Sequence, residues 1–307
     1  MEIGIVILNY LNWFDTVECI DSLEKQTNQS FKIVIVDNAS NNESFEKLSE
    51  RYGYEDAIHL LQTEENLGFA KGNNTGIMYC KKELGLENIL VINNDVIFTD
   101  ENYIEKLTHM EIAKDIGVIG TKIIGADGEN QNPVYFTPSK KAVFREFSIP
   151  LLRKYHLAGI LDIGRILKKM IKKNTQPSST TSTGNRPYIL HGSVIFLTQN
   201  YLSQANGLYP ETFLYYEEEI LGLVCKKLHL KMIYSDEIEI YHKEDQSSKL
   251  SFQNLEGIKQ KFARRSVRIG LKVSGMSVGK ILKVMNNQTY KFIRFKQGNE
   301  VVYTYQA

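Results

Sequence analysis

Long apolar runs are missing from this chain of 307 residues. None approaches the ~18 consecutive apolar residues that a membrane-spanning helix needs. Cysteine is scarce. Cys19, Cys80 and Cys225 lie far apart without metal-ligand spacing, which fits a reducing compartment better than a disulfide framework. The start lacks the basic residues and cleavage site of a signal peptide, so no leader is expected. No Gly-x-Gly-x-x-Gly follows the first apolar run, where the turn reads Asn9-Tyr-Leu-Asn-Trp13. The P-loop pattern is missing too. These absences argue against nicotinamide, flavin and P-loop enzymes. Acidic residues are absent from 257–296, which holds eleven Lys/Arg. Residues 151–173 hold seven Lys/Arg against Asp162 alone. Setting aside those 18 cations and one acid leaves 19 Lys/Arg against 35 Asp/Glu, so the net charge of +1 conceals an acidic body.

What is present is an alternation of strand and helix patterns. Strands read at Ile3–Leu8, Lys32–Val36, Ala57–Leu61, Ile89–Ile92 and Gly117–Ile124. Helices read between them, at about 15–26, 43–52, 69–84 and 101–114. This spacing predicts βαβ units in an α/β, mostly parallel, doubly wound sheet with helices on both faces. Order breaks over 133–187, which contains the basic segment and a polar tract at 176–186 that reads as a loop. It resumes with a strand at Tyr188–Leu197, a helix at about 217–229, and short strands at Lys231–Tyr234 and Ile238–Tyr241.

The run Leu90-Val-Ile-Asn-Asn-Asp95 ends a buried strand in a carboxylate flanked by amides. Open α/β sheets bind ligands at such carboxyl ends. A hard cation bridging phosphates takes oxygen ligands, with only one or two from the protein. The plainer alternative is an Asn-Asn-Asp turn. Asn66-Leu-Gly-Phe-Ala-Lys-Gly-Asn-Asn-Thr-Gly76 opens a helix, where Lys71 can meet a phosphate and Gly68 and Gly72 allow close approach. A tight strand-to-helix turn is the alternative.

These strings form an ordered set: Ile5-Val-Ile-Leu-Asn-Tyr10, Ile35-Val-Asp-Asn-Ala-Ser40, Asn66 to Gly76, Asn93-Asn-Asp-Val96, Gly192-Ser-Val-Ile-Phe196, Gly207-Leu-Tyr-Pro-Glu-Thr-Phe213 and Leu214-Tyr-Tyr-Glu-Glu-Glu219. Over residues 3–245 the set resembles the family 2 glycosyltransferases of bacterial polysaccharide assembly, nearest the rhamnosyl- and galactosyltransferase-like branch. The resemblance implies a Rossmann-like GT-A fold and inverting transfer of a sugar from a nucleotide donor to a hydroxyl, with Mg²⁺ or Mn²⁺. It implies that Asn9 and Tyr10 lie against the base and that Asp37 reads the base edge. The residue-level alternative for Asp37 is a cap on the turn through Ser40. It implies that Asn66, Lys71 and Asn73 lie near ribose and diphosphate. Asn93 and Asp95 occupy the family's Asp-x-Asp position, which makes Asp95 the metal ligand and leaves Asn93 nearer the ribose.

Glu217-Glu-Glu219 stands in the first turn of a helix, where acids also stabilise the macrodipole. The resemblance gives the general base to Glu218, one methylene longer than the family's aspartate, with Glu217 and Glu219 as the alternative bases; Glu217 is the candidate for binding acceptor hydroxyls. A carboxylate suits proton acceptance as the new C–O bond forms. His242, after a short strand, matches a histidine that completes the metal or diphosphate site. Ser247 and Ser248 follow as diphosphate candidates.

The expected organisation is a catalytic domain over 1–246, with halves at 1–125 and 188–246 around a variable basic insertion at 126–187. A basic helical extension over 247–307 follows. Cations interleaved with apolar residues at 151–173 read as an amphipathic helix on an anionic membrane or as a helix docked on the body. Phe262, Val267, Ile269, Leu271, Ile281, Leu282, Phe292 and Phe295 in the tail permit both. The expected partners are a nucleotide-sugar donor (UDP-hexose or dTDP-rhamnose), a saccharide acceptor with polyprenyl-diphosphate-linked forms among the candidates, and the inner face of the cell membrane. No nucleic-acid partner is expected. Competing readings are a nucleotidyltransferase, which lacks its Gly-rich loop here, and a non-catalytic glycan-binding relic.

Overall fold

The computed structural model describes residues 1–136, 139–141, 143–145, 188–243 and 255–306. The basic segment 151–173, the polar tract 176–186, Ser247 and Ser248 lie outside the described residues. Strands β1 (Ile3–Asn9), β2 (Phe31–Asp37), β3 (Ile58–Thr63) and β4 (Ile89–Asn93) form a parallel block in the order β3-β2-β1-β4. Their residues are almost entirely buried, as parallel strands covered on both faces require.

The period-2 alternation divides the core. Val6, Val34 and Val36 pack in one cluster with Ile77 and Cys80 of α3 (Gly68–Lys82). Ile5, Ile7, Ile33 and Ile35 pack in the other with Val17 and Ile20 of α1 (Trp13–Leu23) and Leu48 of α2 (Ser44–Tyr52). Helices therefore cover both faces, as the alternation predicts. Much of the Gly/Asn cluster serves packing. A Cβ on Gly76 would lie 2.5 Å from Cγ1 of Val6, so α3 rides directly on β1.

Beyond β4 the sheet is mixed. β7 (Val194–Leu197) runs antiparallel to β4, and β6 (Ile116–Ile124) antiparallel to β7. β8 (Lys231–His242) lies parallel to β6, and the two-residue β5 (Val96–Ile97) pairs antiparallel with its end. The two short strands expected over 231–241 are one bulged strand, whose register jumps from Thr121↔Ser235 to Lys122↔Glu239. The expected strand from 188 is strand only from Val194. His191-Gly-Ser193 turns away before it, and residues 188–190 contribute one isolated bridge, Val134↔Ile189. Further helices of the body include α4 (Tyr103–His109), α5 (Gln199–Leu202) and α6 (Glu217–Lys227).

The tail departs from the expected helical extension. It is helical in α7 (Leu255–Gly275) and α8 (Val278–Met285), then forms a hairpin of β9 (Thr289–Lys296) and β10 (Asn299–Gln306). The reason is periodicity. Tyr290 and Phe292 are buried with Lys291 exposed between them, a strand pattern rather than a helical one. Gln297 and Gly298 both take positive φ (52° and 76°), as a tight hairpin turn demands. β9 then pairs antiparallel with β3, so the tail is the sheet's outer edge. Val267, Ile269, Leu271, Ile281, Leu282 and Phe292 pack into one core cluster and Phe295 against the other, which favours docking over membrane insertion for these residues. No described helix is long and apolar enough to cross a membrane.

Candidate active site

A cavity of about 580 Å³ opens at the carboxyl ends of β1 and β4. Tyr10, Asn66 and Asn93 line one side, and Glu217 and Glu218 the other, with Asp95 and His242 also on its wall. Strand register explains the meeting of the last two. Val96 pairs with His242 across β5 and β8, which sets Asp95 beside the imidazole.

Asp95 and His242 are both nearly buried, and Oδ1 of Asp95 lies 3.3 Å from Nε2 of His242. Nδ1 of His242 sits 2.9 Å from the acceptor Oε1 of Gln131, so Nδ1 carries the proton. In the neutral ring, Nε2 is then a lone-pair acceptor. Neither Nε2 nor Oδ1 has a hydrogen-bond donor among the described residues. Two buried acceptors face each other, a costly arrangement unless a cation or a second proton lies between them. Their N/O chemistry suits Mn²⁺ or Mg²⁺. No cluster of three or more ligating side chains occurs among the described residues. A cation here would have two protein ligands and take the rest from phosphate and water, the usual habit of Mg²⁺ sites.

Glu217 and Glu218 start α6 after an unusual approach. Tyr215 and Tyr216 both take positive φ (68° and 74°). Left-handed backbone at non-glycine residues costs on the order of 1–3 kcal/mol each and persists where surroundings enforce it. Here α7 enforces it. Phe262 stacks on Phe213 at 4.8 Å, the Ser266 hydroxyl donates to the Leu214 carbonyl at 3.0 Å, and the ring of Tyr216 lies over bare Gly270. Ala263 of the same helix lines the cavity.

The Glu218 carboxylate reaches back to Gly192, whose N–H donates to it. A Cβ on residue 192 would lie 2.1 Å from Oε1, so only glycine allows this approach. Burial pushes both glutamates up, Glu217 to about 8, with the Glu218 charge adding to the shift at Glu217. Both carboxyls are therefore held above the usual carboxylate range, and the two titrate as a pair rather than independently. The Thr212 hydroxyl, which donates to the Tyr209 carbonyl at 3.4 Å, lies beside the Glu217 carboxyl.

His191 was not among the residues singled out from sequence. Its Nδ1 accepts the Ser193 N–H at 3.2 Å and contacts Ser193 Oγ at 3.0 Å, which leaves the proton of the neutral ring on Nε2. Its ring lies edge-on to His242, centroids 5.5 Å apart. Burial, with the His242 ring close by, holds its pKa down to about 4. The available signal was its position immediately before the Gly192 turn.

The expected donor residues divide. Tyr10, Asn66 and Asn93 line the cavity. Asn9, Asp37 and Asn73 are fully buried and do not. Asp37 accepts Asn9 Nδ2 at 2.7 Å and the Ser40 N–H at 3.0 Å, the turn-capping alternative rather than a base-reading one. Asn73 donates to the Phe69 carbonyl at 3.0 Å. These three support the wall from behind. Their neighbour Asn38 lines the cavity and holds the Asn66 side chain at 3.0 Å and the Leu67 N–H at 2.9 Å. Lys71 belongs to a second, separate cavity.

The model of the glycosyl transferase family 2 matches residues 4–174. The chain belongs to this family. Two relatives agree. It is 27% identical over 217 residues to the low-salt glycan biosynthesis hexosyltransferase Agl10 of Haloferax volcanii, covering 71% of this chain and 59% of that protein. It is 24% identical over 243 residues to the glycosyltransferase GlyG of Streptococcus pneumoniae serotype 4, covering 74% and 79%. Among solved structures, S. aureus TarS 1-349 in complex with UDP-GlcNAc matches with TM-score 0.54 at 15% identity, over 93% of this chain and 71% of that one. Mannosyltransferase PcManGT from Pyrobaculum calidifontis, in complex with GDP-Man and Mn²⁺, matches with TM-score 0.54 at 10% identity, over 92% and 68%. These structures share the GT-A-type α/β fold. In this family 2 glycosyltransferase the matched residues include Tyr10, Asn66 and Asp95, while the cavity's other wall, from His191 to His242, lies beyond the matched region.

Proposed function

We propose that this glycosyltransferase transfers a hexose, with inversion, from UDP-hexose or dTDP-rhamnose to a hydroxyl of a polysaccharide or lipid-linked saccharide precursor. The observation that carries the reading is the facing pair of acceptors, Asp95 and His242, without a donor among the described residues and in the same cavity as the Glu218 carboxylate. Asp95 and His242 would hold Mg²⁺ or Mn²⁺, whose charge would stabilise the nucleoside diphosphate as it leaves.

The chain's own groups carry the remaining steps. Tyr10, Asn66 and Asn93 bind the donor, while Asn9, Asp37 and Asn73 hold their wall. Glu218 accepts the proton of the acceptor hydroxyl. The oxygen forms a bond to the anomeric carbon from the face opposite the leaving group. The bond from that carbon to the phosphate oxygen breaks, and its electron pair leaves with the diphosphate. Glu217, beside Glu218, hydrogen-bonds a hydroxyl of the acceptor. Membrane contact in this reading rests on the cations of 151–173, since Val267, Ile269, Leu271, Ile281, Leu282, Phe292 and Phe295 of the tail are packed against the core.

A thermal-shift panel of UDP-, dTDP- and GDP-sugars, each with and without Mn²⁺, tests the reading. A ligand at 100 times its Kd stabilises by about 2.7 kcal/mol. A UDP- or dTDP-sugar is expected to raise Tm only when Mn²⁺ or Mg²⁺ is present. Absence of a shift with every nucleotide sugar would overturn it.

A further inference from the structure

The second cavity, about 490 Å³, shares the Phe213 wall with the first. That volume falls within the usual range for small-molecule sites, about 300–1,000 Å³. Lys71 of α3 and Arg265 of α7 both line it, and neither side chain makes an ion pair or hydrogen bond among the described residues. Among the described residues the one acid on its wall is Glu211, already neutralised, with both carboxylate oxygens 2.8 Å from Nζ of Lys272. Two cations therefore face an open polar space with no free acid among the described residues of its wall. Thr212, on the same wall, lies beside Glu217. An occupant would sit one side chain from the paired glutamates, on the far side of Phe213 from the cavity that holds Asp95.

We propose that this second cavity is an anion subsite for the acceptor, taking a phosphate group carried by the saccharide that receives the sugar. Lys71 offers a point charge and Arg265 a planar fork that matches phosphate oxygens two at a time. The subsite does not serve the donor diphosphate, because no cation of this pair lines the cavity with Asp95. The proposal rests on the transferase reading of the main cavity and names the acceptor's chemistry.

The test is calorimetric titration of the full chain, preloaded with UDP and Mn²⁺, by glucose 1-phosphate, glucuronate and methyl glucoside. Preloading fills the donor site, so a second anion must bind elsewhere. Glucose 1-phosphate is expected to bind saturably and methyl glucoside at least tenfold more weakly. The double variant Lys71→Gln/Arg265→Gln should lose at least tenfold in affinity for glucose 1-phosphate, and Lys71→Arg should retain it. Lys280→Gln/Lys283→Gln, which removes two exposed cations of α8 outside the cavity, should change nothing. Equal binding of the neutral sugar, tighter binding of glucuronate, or an equal loss in the α8 variant would each overturn the proposal. Failure of wild-type protein to bind UDP counts instead against the transferase reading, and the same titration without UDP then still decides the subsite.

Discussion

Glu218 rests its carboxylate against the bare α-carbon of Gly192, at a distance that no side chain there would tolerate. The two residues come from different elements, and their contact aims the candidate base. Gly192→Ala should therefore lower kcat by roughly 10²-fold or more, the usual scale of general-base catalysis. Glu218→Gln should do the same by removing the base and keeping the shape. Steady-state kinetics with nucleotide affinity measured in parallel checks both. A fall in donor affinity with unchanged kcat would reassign Glu218 to substrate binding.

Asp95 and His242 share one task in the proposed site, so their losses should not add. Asp95→Ala and His242→Ala should each abolish Mn²⁺-dependent binding of the nucleotide, and the double variant should be no worse than either. Calorimetry with and without EDTA reads this. Metal-dependent binding that survives in either single variant would move the cation elsewhere.

The buried titratable groups predict a stability profile with two slopes. Glu217 is raised from 4.5 to about 8, so the folded chain keeps a proton that the unfolded chain has lost. Stability in the metal-free protein should fall as pH rises from about 4.5 to about 8. His191 is lowered from 6.5 to about 4, so the unfolded chain binds the extra proton. Its contribution is intact above 6.5 and is lost as pH falls toward 4. Tm measured across this range should show a flatter alkaline limb in Glu217→Gln and a flatter acid limb in His191→Gln. Limbs identical to wild type would show that neither group governs the profile.

Phe292, fully buried in β9, stacks on Tyr303 at 5.5 Å and meets Tyr79 edge-on at 6.1 Å. Truncating such a ring costs about 3–5 kcal/mol. Phe292→Ala should lower stability by that order in urea unfolding. A loss below about 1 kcal/mol would mean that the hairpin undocks readily from β3.

The cations of 151–173 predict salt-sensitive binding to anionic vesicles. Each Lys or Arg near such a surface contributes up to ~1 kcal/mol, screened over roughly 8–10 Å. Replacing Lys168, Lys169, Lys172 and Lys173 with Gln should weaken cosedimentation. Equal pelleting with neutral and anionic vesicles would assign this segment to a protein partner or to packing.

The parallel half of the fold was legible in the sequence because its strands are continuous apolar runs between amphipathic helices. Asp95, His242 and Glu218 were legible for a related reason: each stands where a regular element begins or ends. That Asp37 and Asn73 lie behind the cavity wall was not legible, because the side to which a polar group at a strand or helix end turns depends on neighbours such as Ser40 and Phe69. His191 carried almost no local signal. Its contact with His242 joins the start of β7 to the end of β8, about fifty residues apart. The hairpin was hidden by its cations, which made a β-periodic segment read as the continuation of a basic helical tail.

The pairing of Leu60 with Phe295 also orders events in time. Among the described residues, β3 has no other strand on its outer side. At roughly 5–20 residues per second, a ribosome needs roughly 10–45 s to travel from β3 to β9. For that interval the nascent nucleotide-binding half exposes an open strand edge, available to any other unfinished chain. Strands β9 and β10, synthesised much later than β3, end that exposure, so a stop codon shortly before Thr289 should produce aggregation rather than a smaller working enzyme.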